Sequence, residues 1–176
     1  MNNLIFHYRI FYFIQSVLKY IPFKVFSKIR PLIFRPFFKS IGKDVLIHDN
    51  VLFKFPKEIS IGNHVKIAQN CMFVGGSGLY IGNNVLIGAG TKIITSSHNF
   101  TSLKIPISHQ GLSFSPIKIE DDVWFGFSCV ILGGTTIRRG CIIGANSVVT
   151  KTVDVPFSIL AGVPAKLIKH RIEENI

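Results

Sequence analysis

Residues 1–40 contain no aspartate and no glutamate, yet they hold Arg9, Lys19, Lys24, Lys28, Arg30, Arg35 and Lys39. A segment without acid cannot pair its own cations, so it calls for an anionic partner or for solvent. Cysteine is scarce too. Cys71, Cys129 and Cys141 are the only three, too few for a disulfide framework and too far apart for a zinc motif. The six histidines are scattered with no close pair at ligand spacing, which argues against a metal centre. Long apolar runs are missing as well. Leu4–Ile14 is interrupted by His7 and Arg9 and falls short of the ~20 residues that cross a bilayer. No clean signal peptide or membrane span is expected, and a reducing cytosol fits the unpaired thiols.

What the chain does have is a six-residue beat. From Ile119 it runs IEDDVW, FGFSCV, ILGGTT, IRRGCI, IGANSV, VTKTVD. The first position is bulky and apolar throughout: Ile119, Phe125, Ile131, Ile137, Ile143, Val149. The fifth is small or β-branched: Val123, Cys129, Thr135, Cys141, Ser147, Val153. Side chains alternate faces along a strand, so the fifth and first positions point inward with an outward residue between them. Each hexad is then one short strand and a corner, and three hexads close a triangular coil. Coils stacked at strand spacing, roughly 4.8 Å, make a parallel β-helix. All three cysteines occupy fifth positions, where free Cys serves as a small hydrophobe.

Taken in order, residues 1–40 form a basic, aromatic segment. Leu4 to Tyr20 reads as a helix ended by Pro22, and Pro31 and Pro36 break the remainder of the segment into short pieces. Cations mixed with aromatics suit a helix lying in an anionic membrane interface; equally, the aromatic face suits packing on the solenoid or on a neighbouring subunit. Nucleic acid would attract the same charge, but no recognition motif is present. The beat opens at Ile41 and restarts at Ile61 and Ile81, giving about five coils over residues 41–160. It stops at His98. Residues 99–118 fit no hexad and should project as an arm; a long insertion in a tight solenoid is usually functional. After Ala161–Pro164, residues 165–175 read as a short C-terminal helix capping the solenoid, within a final segment 161–176.

Several residues could carry chemistry. His98 is sixth in its hexad, hence outward, at the mouth of the insertion; it is either a general acid–base group or an ordinary exposed histidine. Trp124 is also outward and needs a cover: the arm, a neighbouring subunit or a ligand. Phe127 and Ala145 are both third in their hexads, eighteen residues apart, and should stack on one edge. Gly126 and Gly144 beside them leave that edge bare, exposing backbone N–H and C=O groups to an extended ligand, unless glycine simply makes the corner. Lys151, Lys166 and Lys169 could hold a phosphate or form a solvated face.

The hexads from Ile41 to Asp154, the His98 loop, EDDVWFG (120–126), IIGANSVVTK (142–151) and AGVPAK (161–166) together resemble the hexapeptide-repeat acyltransferases. The resemblance covers about three quarters of the chain. It is similar to the trimeric sugar O-acetyltransferases of the maltose and galactoside type and of surface-polysaccharide clusters. This resemblance implies an all-β, left-handed parallel β-helix. It implies a homotrimer with acetyl-CoA between subunits and a saccharide acceptor, without metal or nucleic acid. By it, His98 is the general base and the oxyanion is held near Phe127. Trp124 and Asn99 meet the acceptor. Gly126, Phe127, Ala145, Thr150, Lys151, Lys166 and Lys169 meet acetyl-CoA. Two positions depart from the family pattern: Ala68 stands where sugar transacetylases carry Asn, and Phe127 where a small residue is common.

The implied function is O-acetylation of a sugar in bacterial polysaccharide assembly, O-antigen or capsule, in the cytoplasm or on the inner membrane face. Other readings share much of this sequence: an N-acetyltransferase of an amino sugar or nucleotide sugar, an antibiotic acetyltransferase, a non-catalytic solenoid scaffold, and a membrane-bound scaffold using residues 1–40.

Overall fold

The structure, a computed structural model, describes residues 2–22 and 24–172. The inward positions of the hexads dictate a prism. Coil 1 consists of β1 (Ser40–Ile41), β2 (Leu46–Ile47) and β3 (Leu52–Lys54). Coil 2 consists of β4 (Ile59–Ile61), β5 (Lys66–Ile67) and β6 (Met72–Val74). Coil 3 consists of β7 (Leu79–Ile81), β8 (Leu86–Ile87) and β9 (Lys92–Ile94). An arm of β10 (Ser96–His98) and β11 (Leu112–Phe114) follows. Coil 4 is β12 (Ile117–Ile119), β13 (Trp124–Phe125) and β14 (Val130–Leu132); coil 5 is β15 (Thr136–Ile137), β16 (Ile142–Ile143) and β17 (Val148–Val149). Val153, bridged to Ile137, and β18 (Ser158–Ala161) begin a sixth coil.

Equivalent strands pair in parallel and in strict register. Face A stacks β1, β4, β7, β12 and β15; face B stacks β2, β5, β8, β13, β16 and β18; face C stacks β3, β6, β9, β14 and β17. The coils form a left-handed β-helix, as the resemblance implied. First-position side chains make the core: Ile119, Phe125, Ile131, Ile137 and Ile143 are fully buried. Each such burial contributes roughly 1.5–3 kcal/mol. The fifth positions do more than fill space. Cys129 Sγ lies 3.2 Å from the Gly144 carbonyl, and Thr91 Oγ1 donates to Gly126 O at 3.3 Å, so corner carbonyls are satisfied from within. Burial pushes the Cys71 thiol up to about 11, leaving it a neutral structural group.

Helices α1 (Asn2–Leu18) and α2 (Lys24–Phe34) close the open end of coil 1. Phe11, Phe34 and Phe38 pack against one another, Phe34 and Phe38 pack edge-on against Phe53, and Phe53 stacks on Phe73 at 4.9 Å. Gln15 clamps the edge of β3, accepting from Phe53 N–H at 2.7 Å and donating to Phe53 O at 3.3 Å. Arg30 is buried, and among the described residues no carboxylate contacts it. Its guanidinium donates to the carbonyls of Leu18, Ile21 and Ile47, so it staples the end of α1 to coil 1. Carbonyl dipoles at a helix C-terminus stabilise such a cation.

Two expectations are corrected. Pro31 does not break the chain: it lies inside α2, three residues before its end, where only one helical hydrogen bond is forfeited and the ring is buried. The C-terminal cap is not a helix over its described residues. Lys166–His170 is β19, antiparallel to β18, with Ser158 opposite His170 and Ile159 opposite Lys169. The last parallel strand presents an unpaired backbone edge, and a returning strand satisfies it where a helix would not. Arg171 holds the return, donating to Asp122 Oδ2 at 3.0 Å and Gly140 O at 2.9 Å. The end of the expected helix, 173–175, lies outside the described residues.

Candidate active site

Hexads alternate between corners, and the corners differ. Between faces A and B, the third-position amides are capped by side chains of the next coil. Lys43 N–H donates to Asn63 Oδ1 (2.8 Å), Asn63 N–H to Asn83 Oδ1 (2.9 Å), and Asn83 N–H to Asp121 Oδ1 (2.7 Å). Arg139 N–H donates to Glu120 Oε2 at 3.1 Å. Burial pushes the Glu120 carboxyl up, but the Arg139 amide, Arg138 and Lys118 outweigh it and hold it below the usual range.

Between faces B and C no such ladder exists in coils 3 to 5. The third positions there are Ala89, Phe127 and Ala145, which have no side-chain acceptor to offer. Their N–H groups have no partner among the described residues, while Ser128 N–H and Asn146 N–H bond to Ala89 O and Phe127 O at 2.8 Å each. Phe127 and Ala145 are exposed and Ala89 is half-buried, so the row of donors runs along the surface. The coils approach closely here. A β-carbon on Gly126 would stand 2.6 Å from the Ala145 nitrogen, which forbids any other residue. Trp124 lies two residues before Gly126, half-exposed on face B between Leu86 and Ile142 in register. Above it, Ala161 sits over Gly144, and Lys166 pairs with Ala161 at the end of face B; Lys166 and Lys169 are both exposed. Gly126, Phe127, Ala145, Trp124 and Lys166 are thus gathered along one corner.

His98, Thr150 and Lys151 are not. They belong to the corner between faces C and A. The arm leaves there after β9, and Thr150 and Lys151 follow β17 two coils on, both exposed. Face C separates the two groups within one chain. The arm is a hairpin in which His98 pairs with Leu112. Its root is fixed by Ser115 N–H donating to Thr95 O at 2.8 Å, and Phe114 packs edge-on against Phe55. The hub of its loop is Gln110, a residue that no sequence motif marks. Its carboxamide accepts from Ser102 N–H (3.0 Å) and donates to Ser102 O (2.8 Å) and Ile105 O (2.7 Å). Asn99 spends its amide on Gln110 O at 3.0 Å, so within one chain it orders the loop beside His98. The His98 ring is exposed and makes no hydrogen bond among the described residues. Beyond it the loop ends in apolar side chains, with Leu103 fully exposed and Phe100 about two-thirds exposed. Among the described residues no three ligand-type side chains meet.

An exposed imidazole on a rigid hairpin can exchange a proton with a hydroxyl. A row of free amides can hold an extended amide-bearing chain or an oxyanion, and two lysines at its end can meet phosphates. The B–C corner therefore fits the pantetheine and phosphate chemistry of an acyl-CoA.

The family model for the hexapeptide repeat of succinyl-transferase matches residues 116–151. Over 90% of its length the chain is similar, at 31% identity and a TM-score of 0.79, to 84% of a hexapeptide-repeat containing acetyltransferase from Vibrio cholerae O1 biovar eltor, solved with acetyl coenzyme A. It is 35% identical over 94 residues, 48% of this chain and 47% of the other, to an Escherichia coli K12 protein assigned to lipopolysaccharide biosynthesis as an O-acetyl transferase. It is 47% identical over 62 residues, 35% of this chain and 25% of the other, to a tetrahydropyridine-dicarboxylate N-acetyltransferase of Staphylococcus aureus JH9. The matched stretches span less than half the length of these two curated relatives.

Proposed function

Because the chain belongs to the hexapeptide-repeat acyltransferase family, we propose that it is an acetyl-CoA-dependent O-acetyltransferase of sugar hydroxyls serving surface-polysaccharide assembly. The observation that carries this reading is the pairing of an arm-borne His98 with a corner whose amides are left open. The two lie on different corners of one chain, so a neighbouring copy in a homotrimer would bring the arm of one subunit to the B–C corner of the next. The exposed apolar loop, Leu103 and Phe100, gives the arm a reason to bind there.

Acetyl-CoA, when bound, supplies the acyl group as a thioester. His98 takes the proton of the acceptor hydroxyl, whose oxygen attacks the acyl carbon directly. The Phe127 N–H meets the negative charge that develops on the acyl oxygen; one such donor contributes roughly 2.7–4 kcal/mol. The carbon–sulfur bond then breaks, and His98 returns its proton to the departing thiolate. Trp124 walls the acceptor side, with Asn99 keeping the loop beside His98 in place. Lys166 and Lys169 meet the nucleotide phosphates, and Thr150 and Lys151 the cofactor's outer part.

The test is CoA release with a panel of sugars and nucleotide sugars, wild type beside His98→Ala. Turnover on one acceptor, lowered about 10²- to 10⁴-fold by the substitution, is expected. Absence of saturable CoA binding would sink the transferase reading and leave a scaffold. The N-acetyl relative supports a second reading, transfer to an amine. Turnover confined to amino sugars in the same panel would establish it.

A further inference from the structure

Helix α1 has two apolar faces, and the solenoid uses only one. The inner face is locked. Phe11 is fully buried, Gln15 holds both backbone groups of Phe53, Tyr12 Oη accepts from Phe55 N–H at 3.3 Å, and Arg30 grips the Leu18 carbonyl. The helix therefore cannot roll to bury its other side. On that other side Phe6, Ile10, Phe13 and Val17 recur at i, i+4, i+7 and i+11, all exposed, with Phe13 at 72%. Such spacing is one continuous stripe of a helix. Tyr20 continues it past the helix end, with Lys19 Nζ 4.5 Å above its ring.

The charge around the stripe decides what can cover it. Arg9 lies within it, Lys19 at its end, and Lys24 opens α2; none is paired with a carboxylate among the described residues, and the first acid in the chain is Asp44. A second copy offers little in return. Residues 41–176 carry 13 lysines and arginines against 9 acids, a net +4. Of those acids, Glu120 is held by Arg138, Asp122 by Arg171, Asp121 by Asn83 and Asp44 by His64. A copy of this chain, itself net basic over residues 41–176, is thus a poorer electrostatic match for a basic, apolar stripe than an anionic surface is. An anionic bilayer surface has both properties such a stripe needs: phosphates for the cations and an acyl boundary for the rings. No described helix is long and apolar enough to cross a membrane, so the contact is with the surface.

We propose that the free face of α1 docks on an anionic phospholipid surface, seating Phe6, Phe13 and Val17 at the headgroup–acyl boundary and Arg9, Lys19 and Lys24 on lipid phosphates. Because the face is already rigid, binding costs little ordering entropy. Docking would place the solenoid on the membrane by its coil-1 end, with the coil-5 end away from it.

The test is flotation of the full chain with phosphatidylcholine vesicles, with and without phosphatidylglycerol. Wild type should float with the anionic vesicles only, and added salt should release it. Phe13→Asp should lower partitioning about tenfold or more, and Arg9→Glu, which leaves the apolar stripe whole, roughly fivefold or more. Both positions are exposed, so thermal melts and CoA binding should match wild type, which separates this outcome from any failure of the transferase reading. No binding to anionic vesicles, or binding that neither substitution weakens, overturns the proposal. A drop in oligomer size on Phe13→Asp, read by sedimentation, would assign the face to a second copy instead.

Discussion

The A–B and B–C corners are built from the same hexad and end in opposite chemical states. Both place a residue with positive φ in the fourth slot: His64 (57°) and Asn84 (55°) at one, Ser128 (55°) and Asn146 (57°) at the other. Both stack too tightly for a β-carbon in the second slot at several coils; one at Gly82 would stand 2.4 Å from Asp121 Oδ1. The difference lies mainly in the third slot, with Glu120 in the second slot adding one more cap at the A–B corner. Asn63, Asn83 and Asp121 each accept from the amide one coil below, so that corner is sealed. Ala89, Phe127 and Ala145 accept nothing, so that corner keeps its donors. An unpaired buried amide would cost about 1–3 kcal/mol. These amides lie at an exposed corner without a protein partner among the described residues, which is what makes them available to a ligand. A side-chain acceptor at the corner thus separates structural backbone from backbone that can bind.

Sealing the open corner should have the largest effect. Ala145→Asn places a carboxamide one coil above Phe127, as Asn83 stands above Asn63. It should lower kcat about 10²- to 10³-fold, the scale of a lost oxyanion donor, while thermal stability holds or rises. The converse change is smaller. Asn83→Ala strips the cap from Asn63 N–H and the bond of its own amide to Asp121, 3.2 Å long. Stability in urea should fall by about 1–2 kcal/mol, with turnover unchanged. If both substitutions damaged stability alike and neither touched turnover, the two corners would be equivalent scaffolding.

The beat made the prism legible because burial in a solenoid repeats with the chain. Every first and fifth position from Ile119 to Val153 is buried, as the spacing required. The outward slots of Trp124 and His98 followed from the same alternation. The sealed corner is not read from the sequence, although IGN recurs at 61–63 and 81–83, because apolar periodicity says nothing about what a third-slot side chain accepts. What stayed hidden was decided by non-local pairing. Lys166–His170 is a strand because β18 offers it an edge, and no local pattern records that edge. Gln110 organises the arm through the carbonyls of Ser102 and Ile105, which the fold of the loop brings round to it. Arg30 counts in the sequence among the cations calling for an anionic partner or solvent, and is instead buried against the carbonyls of Leu18, Ile21 and Ile47.

The central claim is that the site is shared: His98 from one subunit, the open corner from another. His98→Ala and Ala145→Asn chains, each inactive alone, should be co-assembled at equal ratio and assayed for CoA release on the acceptor wild type uses. In a head-to-tail ring, a site needs an intact arm from one neighbour and an intact corner from the other, so mixing should restore about a quarter of wild-type turnover. Mixed assemblies that stay as inactive as either parent would contradict the account and place both halves of the site within one chain.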